Sequence, residues 1–362
     1  MKIVNVCGAR PNFMKIAPLM HAYKASPEIE PLLVHTGQHY DQNMSEWFFD
    51  QLEIPRPDIN LEVGSGSHAQ QTALIIQRFE QVVLDHKPDV VLVVGDVNST
   101  AACALVASKL NVRVAHVEAG LRSFDRTMPE EINRLVTDVL SDLLLASEPA
   151  GVQNLKNEGI DASKIYFVGN TMIDTLHKHR ERAAQSDVLK KLGLADKGYV
   201  AMTLHRPSNV DDPIVFGNIL SALEVIHRDL PIVFPVHPRT LKNLDRLGLR
   251  PRIEALDHLH LLDPLGYLDF LHLMDRAAMV VTDSGGIQEE TTILGVPCLT
   301  VRENTERPVT AEVGTNQIVG TDTQRILDAY KRVRDGKIVG EIPELWDGHA
   351  AERIVNILAA PA

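Results

Sequence analysis

The chain has 362 residues, a length that fits two domains of ordinary size. Hydrophobic residues make up 44% of it and charged residues 23%, which is typical of a globular protein and excludes a disordered or fibrous one. The formal net charge is −12 and no run of Lys and Arg is long enough to form a basic stripe, so nucleic acid and anionic membranes are excluded as main partners.

The three cysteines, Cys7, Cys103 and Cys298, lie far apart and each sits in an apolar stretch. An odd number without CxxC spacing predicts reduced, buried thiols with no metal or redox role. The first residues do not resemble a signal peptide, and no apolar stretch approaches the ~20 residues of a membrane-spanning helix. We therefore expect a cytoplasmic protein that does not associate with a membrane.

Short apolar runs rich in β-branched residues alternate with amphipathic segments of helical length. The predicted strands of the first half are residues 3–7, 32–36, 90–94, 112–117, 143–146 and 165–168. Those of the second half are residues 200–203, 232–236, 259–262, 279–282, 298–301 and 317–319. Continuous apolar runs are typical of strands buried on both faces, and their alternation with helices predicts doubly wound parallel sheets.

About six strand–helix units in each half predict two Rossmann-like α/β domains with a cleft between them. We place the N-terminal domain at residues 1–169 and the C-terminal domain at residues 170–345. A helix over residues 172–184 leads into the second domain. Residues 346–362 are predicted to form a C-terminal helix that packs back on the N-terminal domain.

Acidic residues follow two neighbouring strands of the first half. The strand at 90–94 runs into Asp96, and the strand at 112–117 runs into Glu118. A third acid, Glu130, lies in the first turn of a helix that begins at a proline. Because ligands bind at the carboxyl ends of parallel strands, we expect these three carboxylates to converge on one side of a cleft.

Each of these acids also has a structural interpretation. Asp96 can cap the helix that follows it. Glu118 can form an ion pair with Arg122 or Arg134. Glu130 can be a first-turn acid that the helix dipole favours.

Cations and glycines follow other strands. The first strand runs into Gly8 and then into a helix with Arg10 and Lys15, which can meet an anion or remain solvated surface charges. The GxGxxG pattern is absent there, which argues against an NAD site. A stronger signal is Ser284-Gly285 with Gly286 between a strand and a helix, because bare N–H groups at a helix start bind phosphate.

Further polar residues follow the strands of the second half. His205 and His237 each follow a strand, and Arg307 is another candidate for ligand contact. Glu290, one turn into the helix after Gly286, is well placed to accept hydrogen bonds from a ribose. Asp283 is expected to orient the turn or to cap the helix. Because no Cys/His cluster has metal-ligand spacing, we expect no metal site.

Seven stretches together carry a resemblance that spans nearly the whole chain: GARPNFMKIAPL, VLVVGDVNST, HVEAGLRS, MPEEINR, VGNTMID, VTDSGGIQEE and ENTERP. They resemble the non-hydrolysing UDP-N-acetylglucosamine 2-epimerases, which have two Rossmann-type lobes in a GT-B-like arrangement. The resemblance implies inversion of C2 in a UDP-N-acetylhexosamine through 2-acetamidoglucal. It also implies that no NAD or metal cofactor is used and that the protein is a homodimer.

The resemblance also implies site residues. It assigns the catalytic residues to Asp96, Glu118, Glu130 and His205. It assigns the UDP-sugar contacts to Arg10, Ser284, Gly285, Gly286, Glu290 and Arg307, with Lys15, Arg134 and His237 as further members.

Three positions depart from the common family pattern. Tyr40 and Pro207 stand where many bacterial members carry arginine, which puts an allosteric substrate site in doubt. Val309 stands where glutamate often follows ERP. The sugar can therefore differ, with UDP-GalNAc or a modified UDP-HexNAc as alternatives. A hydrolysing 2-epimerase that releases N-acetylmannosamine and a GT-B glycosyltransferase are the alternative reactions.

Overall fold

The computed structural model describes residues 1–38 and 49–360 of the chain. Tyr40 and the Arg10 side chain lie outside the described part. The chain divides into two compact units, of which the first comprises residues 1–178 and 344–362 and the second residues 179–343. The domain boundaries at residues 169 and 345 stay a prediction, because contacts alone do not measure independent folding.

A seven-stranded parallel sheet forms the centre of the first unit, in the order β3-β2-β1-β4-β5-β6-β7. The strands are β1 (Lys2–Cys7), β2 (Glu30–His35), β3 (Ile59–Asn60), β4 (Val90–Val94), β5 (Arg113–Ala119), β6 (Leu143–Ala146) and β7 (Ile165–Phe167). Val4, Phe79 and Val91 belong to its buried core. The apolar runs of the sequence are thus the strands whose two faces are covered.

The helices of this unit include α1 (Arg10–Ala22), α2 (His68–His86), α3 (Asn98–Lys109), α4 (Pro129–Leu140), α5 (Pro149–Asn157) and α6 (Thr171–Ala183), which contains the boundary between the units. Proline occupies the start of α4 and α5, where its missing N–H costs nothing. Helix α16 (Ala350–Ala359) also belongs to the first unit and packs against α1.

A six-stranded parallel sheet forms the centre of the second unit, in the order β10-β9-β8-β11-β12-β13. Its strands are β8 (Val200–Thr203), β9 (Ile232–Pro235), β10 (Leu259–Leu262), β11 (Met279–Thr282), β12 (Cys298–Thr300) and β13 (Asn316–Ile318). Its helices include α7 (Val188–Leu192), α8 (Pro207–Val210), α9 (Pro213–Ile226), α10 (Pro238–Arg246), α11 (Arg250–Glu254), α12 (Tyr267–Asp275), α13 (Gly285–Leu294), α14 (Pro308–Glu312) and α15 (Thr323–Arg334).

Both sheets have a Rossmann-like strand order, so the predicted fold class is confirmed. The order reverses between β1 and β4 in the first sheet and between β8 and β11 in the second. Crevices at the carboxyl ends of such strand pairs are where doubly wound sheets bind ligands. The residues after these four strands are therefore the first place to look for a site.

The segment before α16 is tied to the first unit by buried groups. Trp346 is 1% exposed, and its Nε1 donates to the Ser147 carbonyl at 2.9 Å. The Asp174 carboxylate accepts hydrogen bonds from the backbone N–H groups of Ala350 and Ala351, at 3.2 and 2.7 Å. Asp174 therefore satisfies amide groups that the first turn of α16 would otherwise leave unpaired.

The three cysteines are buried free thiols, as predicted. Burial raises the pKa of each thiol, so they behave as small apolar side chains. Within the described residues, no helix combines the length and hydrophobicity that a membrane crossing requires.

Candidate active site

The turn between β1 and α1 is held to the end of β4 by Asn12. Its Oδ1 accepts from the N–H groups of Gly8 and Ala9, at 3.1 and 3.0 Å, and its Nδ2 donates to the Val94 carbonyl at 3.0 Å. A Cβ on Gly8 would overlap the Ser99 hydroxyl, so only glycine allows the close approach of this turn to α3. This arrangement fixes α1 against the reversal between β1 and β4.

Lys15 extends from α1 to the Glu118 carboxylate and forms a buried ion pair with it. The Lys15 side chain is only 6% exposed, so its interpretation as a solvated surface charge is wrong. The structural alternative for Glu118 was an ion pair with Arg122 or Arg134. Arg122 instead binds Asp138 and Glu158, and Arg134 binds Asp96 and Glu131. Pairing within the core limits the cost of burying both charges.

Glu118 has a left-handed backbone, with φ of +73°. The pairing of β5 with β6 shifts register between Val117 and Ala119, so Glu118 lies in a bulge at the strand end. A non-glycine residue in this region costs of order 1–3 kcal/mol and is found mostly where function requires it. The backbone strain therefore favours a functional role for the Glu118 side chain.

Asp96 lies one residue after Gly95 at the end of β4, with its side chain 27% exposed. Its Oδ2 accepts from Arg134 Nη1 at 2.5 Å, and Arg134 belongs to α4. The alternative that Asp96 caps the next helix is wrong, because the N-cap of α3 is Val97 and the first-turn N–H of Ser99 donates to Gln38 Oε1 instead, at 3.2 Å. Two predicted site residues, Asp96 and Arg134, are thus in direct contact.

Two adjacent glutamates at the start of α4 have different surroundings. Glu131 accepts from the N–H groups of Ser123 and Phe124, both at 2.9 Å, and from Arg134 Nε at 3.0 Å. Burial alone would raise its pKa, but these bonds hold that pKa below its ordinary value. Glu130 is half-buried and has no hydrogen bond or ion pair with any side chain that the structure describes. Glu131 shapes the loop, whereas Glu130 is available to a ligand.

In the second unit, the buried carboxylate of Asp283 joins the residues after β8 to those after β11. It accepts from the N–H groups of His205 and Arg206, and from Asn209 Nδ2 at 3.1 Å. His205 Nδ1 lies 2.9 Å from Asp283 Oδ1, which leaves Nε2 on a half-exposed ring. Burial alone would raise the pKa of Asp283, but His205 and these amides hold it below its ordinary value. Asp283 therefore orients the turn after β8, whereas the sequence predicted this role for the turn that Asp283 itself begins.

The N-cap residue of helix α13, Ser284, makes no side-chain cap bond, and the Asp283 carboxylate accepts from residues after β8 instead. The interpretation of Asp283 as a helix cap is therefore wrong. Gly285 and Gly286 open the helix, and Gly286 is partly exposed. Free N–H groups and the positive end of the helix dipole suit an anion at this position.

Arg307 lies directly over Gly285. A Cβ on Gly285 would be 2.5 Å from Arg307 Nη1, so only glycine leaves room for the guanidinium. Arg307 Nε donates to Glu289 Oε1 at 2.6 Å, and Nη1 lies 3.5 Å from Glu306. Burial alone would raise the pKa of Glu306, but Arg302 and Arg307 hold it far below its ordinary value. The two carboxylates fix the guanidinium beside the start of α13.

The remaining predicted contacts lie in different surroundings. Glu290 is buried and accepts from the Tyr267 hydroxyl at 3.0 Å, and burial raises its pKa to about 8. His237 is exposed at the N-cap of α10, where its Nδ1 accepts from the Arg239 N–H at 3.2 Å. Val309 is buried in α14, and Pro207 starts α8.

Sequence reasoning missed several residues that organise these two groups. Asn12, Asn209, Glu289 and Glu306 were not assigned roles, although each lies within four residues of one that was. Nearness in sequence was the available signal for them. No group of three His, Cys, Asp or Glu side chains within residues 1–38 and 49–360 is arranged to hold a metal ion.

Comparison with known proteins places this arrangement in a family. The family model described as UDP-N-acetylglucosamine 2-epimerase matches residues 21–359. The chain is 43% identical to a UDP-N-acetylglucosamine 2-epimerase of Methanocaldococcus jannaschii over 99% of both chains. It is also 43% identical to a UDP-2,3-diacetamido-2,3-dideoxy-D-glucuronate 2-epimerase of Pseudomonas aeruginosa, again over 99% of both.

The fold agrees with that of a solved relative. The crystal structure of the M. jannaschii UDP-GlcNAc 2-epimerase in complex with UDP-GlcNAc and UDP matches with a TM-score of 0.92 and 42% identity, over 99% of each chain. Sequence identity and structural similarity at these levels confirm the resemblance inferred from the motifs. The chain belongs to the UDP-N-acetylglucosamine 2-epimerase family, a family of isomerases.

Proposed function

We propose that the protein interconverts the C2 epimers UDP-GlcNAc and UDP-ManNAc by elimination and return of UDP, without hydrolysis. The observation that carries the proposal is the acidic set of the first unit, Asp96, Glu118 and Glu130. Glu118 is held in a strained backbone at a strand end, and strain of this kind is concentrated at active sites. Family membership supports the same reaction class.

The chemistry of the sugar requires such a set. The C2 hydrogen of an amino sugar is not adjacent to a carbonyl, so a base alone does not remove it. When the C1–O bond breaks, its electron pair leaves with UDP and the C2 proton becomes acidic. A carboxylate then takes that proton, the C1–C2 double bond forms, and the products are 2-acetamidoglucal and UDP.

Return of a proton to the opposite face of C2 completes the inversion while UDP rebinds C1. Two faces of one carbon are served most simply by two acid–base groups in different surroundings. The acidic set offers this difference, since Glu118 contacts Lys15 and Asp96 contacts Arg134, whereas Glu130 has no such partner among the described residues.

The departing UDP requires groups that stabilise negative charge. In our proposal, the diphosphate is bound by His205 Nε2, Ser284, the amides of Gly285 and Gly286, and Arg307, and the ribose is bound by Glu290. Asp283 supports this role, because it fixes the orientation of the His205 ring. Fixed donors of this kind stabilise developing charge without reorganisation during the reaction.

A modified UDP-HexNAc is a second candidate substrate. The chain is as similar to the P. aeruginosa enzyme, named for a diacetamido glucuronate, as it is to the M. jannaschii enzyme. The same elimination and return apply to both sugars, since they share the C1 and C2 positions that react.

The proposal is tested by incubating the enzyme with UDP-GlcNAc in deuterated water and following C2 by NMR. We expect deuterium at C2, a mixture with UDP-ManNAc, and no accumulation of free sugar. Accumulation of free N-acetylmannosamine would instead place the protein among hydrolysing epimerases. Exchange in UDP-GalNAc or in the diacetamido glucuronate, but not in UDP-GlcNAc, would keep the chemistry and change the substrate.

We also propose that the protein is a homodimer in which α4 lies at the interface. This helix buries its charged side and exposes Ile132, Val136 and Val139 at positions i, i+4 and i+7. An apolar stripe at this spacing forms one continuous face of a helix and is typical of a surface covered by a partner.

A further inference from the structure

Two fully buried side chains, His116 on β5 and Asp138 on α4, lie beside the acidic set and are not used by the chemistry proposed above. His116 Nε2 is 2.8 Å from the Gly95 carbonyl oxygen, and Nδ1 is 2.6 Å from Asp138 Oδ1. A carbonyl oxygen can only accept a hydrogen bond, so Nε2 donates to Gly95.

Both carboxylate oxygens of Asp138 face hydrogen-bond donors. Burial alone would raise its pKa, but His116 and Arg122 hold that pKa below its ordinary value. Arg122 Nη2 lies 2.7 Å from Asp138 Oδ2 and also pairs with Glu158. The His116 ring therefore joins the Gly95 carbonyl to the Asp138 carboxylate.

The Asp138 carboxylate also spans the strained position of β5. Its Oδ1 meets His116, two residues before Glu118, and its Oδ2 accepts from the Gly120 N–H at 3.1 Å, two residues after it. Glu118 lies between these two attachments with its left-handed backbone. A strained residue persists only where its surroundings hold it in place. Asp138 restrains Glu118 through hydrogen bonds to His116 before it and to Gly120 after it.

The same ring fixes the neighbouring strand end. Gly95 immediately precedes Asp96, and its carbonyl is the group that His116 contacts. Asp138 shares α4 with Glu130. The His116–Asp138 pair therefore connects three elements. These are the end of β4 beside Asp96, the end of β5 that contains Glu118, and helix α4, which carries Glu130.

We propose that His116 and Asp138 are positioning residues, which set the relative placement of the Asp96 and Glu118 carboxylates without touching the substrate. This inference rests on the function proposed above, because it concerns the geometry of that acid–base set. A pair that only stabilised the core would affect folding and leave the turnover of the folded enzyme unchanged.

The test uses two substitutions at His116, because removing Asp138 would take a carboxylate from buried Arg122 and leave the Gly120 N–H without its acceptor, which risks unfolding. In His116→Asn, the amide nitrogen takes the place of Nδ1 and keeps the bond to Asp138. In His116→Gln, it takes the place of Nε2 and keeps the bond to Gly95. Each variant therefore loses one of the two attachments.

Thr137→Val is the matched control. Thr137 is fully buried on α4 next to Asp138, and its hydroxyl donates to the Asn133 carbonyl within the helix, at 2.7 Å. The change removes a buried hydrogen bond of the same helix without touching either strand end. We expect a small loss of stability and wild-type turnover.

The readouts are kcat and KM for C2 exchange in the substrate that the wild type accepts, the Kd for UDP, and Tm. We expect both His116 variants to lower kcat by at least about tenfold, since small displacements of reacting groups have effects of this size or larger. KM and the Kd for UDP should stay within about twofold of wild type.

The outcomes separate the two proposals. Folded His116 variants with kcat within about twofold of wild type would overturn the positioning role. An equal loss of kcat in Thr137→Val would overturn it as well. The fall in kcat would then follow from the loss of any buried hydrogen bond on α4 and would not be specific to His116. A wild-type enzyme that exchanges C2 in none of the UDP-sugars would instead overturn the proposed function.

Discussion

Arg134 and Asp96 form a 2.5 Å contact that joins the middle of α4 to the end of β4. Arg134 is buried and also binds Glu131, which holds the loop before α4. The position of the Asp96 carboxylate therefore depends on how this loop and helix are folded.

The Asp96→Asn variant should lose at least about 10²-fold in kcat, the scale of general acid–base catalysis. The amide keeps the size of the side chain and Arg134 keeps its bond to Glu131, so the variant should fold with only a modest fall in Tm. Rates of C2 exchange and thermal melts measure the two effects. Glu80→Gln, a change at an exposed acid of α2, should match wild type in both. Near-normal turnover of Asp96→Asn would reduce Asp96 to a structural partner of Arg134.

The adjacent glutamates of α4 should separate activity from stability. Glu130→Gln should lower kcat by at least about 10²-fold with an unchanged free energy of unfolding, because that carboxylate has no described partner to lose. Glu131→Gln should lower the free energy of unfolding by about 1–3 kcal/mol, since it weakens buried bonds to Ser123, Phe124 and Arg134. Urea unfolding and C2 exchange are the measurements. A loss of stability in Glu130→Gln together with a loss of kcat in Glu131→Gln would show that Glu131 is the catalytic residue and Glu130 the structural one.

Gly285→Ala should weaken UDP binding by at least about tenfold, which calorimetry measures. The new methyl group would be 2.5 Å from Arg307 Nη1, and Glu289 and Glu306 prevent the guanidinium from moving freely. Gly217→Ala is the control, because the nearest atom to its Cβ would be at 3.6 Å in ordinary contact. Equal affinity for UDP in both variants would contradict a role of this helix start in binding.

Asp174 should make stability depend on pH. Burial raises its pKa to about 6 from an ordinary value of 3.8, so the folded state holds the proton more tightly than the unfolded state. The resulting stabilisation is complete below about pH 4 and is lost as pH rises through about 6. The free energy of unfolding should therefore fall more steeply between about pH 4 and 6 in wild type than in Asp174→Asn. Parallel curves from urea titrations would show that Asp174 titrates normally.

The proposed dimer should dissociate when α4 is made polar. Val139 is 68% exposed, and Val139→Asp adds a charge to the apolar stripe. Light scattering coupled to size exclusion should give twice the chain mass for wild type and a lower mass for this variant. Val339→Asp, at a residue that is 85% exposed in the second unit, should leave the mass unchanged. A monomeric wild type would contradict the dimer directly.

The fold was predictable because buried parallel strands are continuous apolar runs. Each of the twelve predicted strands overlaps an observed one, and the sheets have seven and six strands. The missing strand, β3, has only two residues at a sheet edge, too few to show any periodicity. The extension of β5 through Glu118 was also missed, because the register shift in a bulge leaves no mark on hydrophobicity.

The sequence was sufficient to predict which residues belong to the site, but not which of them form hydrogen bonds and ion pairs with each other. Positions after strands indicated Asp96, Glu118 and His205, because parallel sheets place such residues at one edge. The choice of Lys15 as the partner of Glu118 depends on the three-dimensional path of α1. Asp138 gave no signal, since an acid in the last turns of an amphipathic helix looks like a surface residue.

Helix α16 belongs to the first unit although it follows the whole second unit in the chain. During synthesis, the strands around β1 leave the ribosome long before the helix that covers α1 exists. Domains generally fold in the order in which they are made, yet here the surface that receives Trp346 and α16 must wait, uncovered, while residues 179–343 are made and folded. The first unit is therefore the first to begin folding and the last to finish.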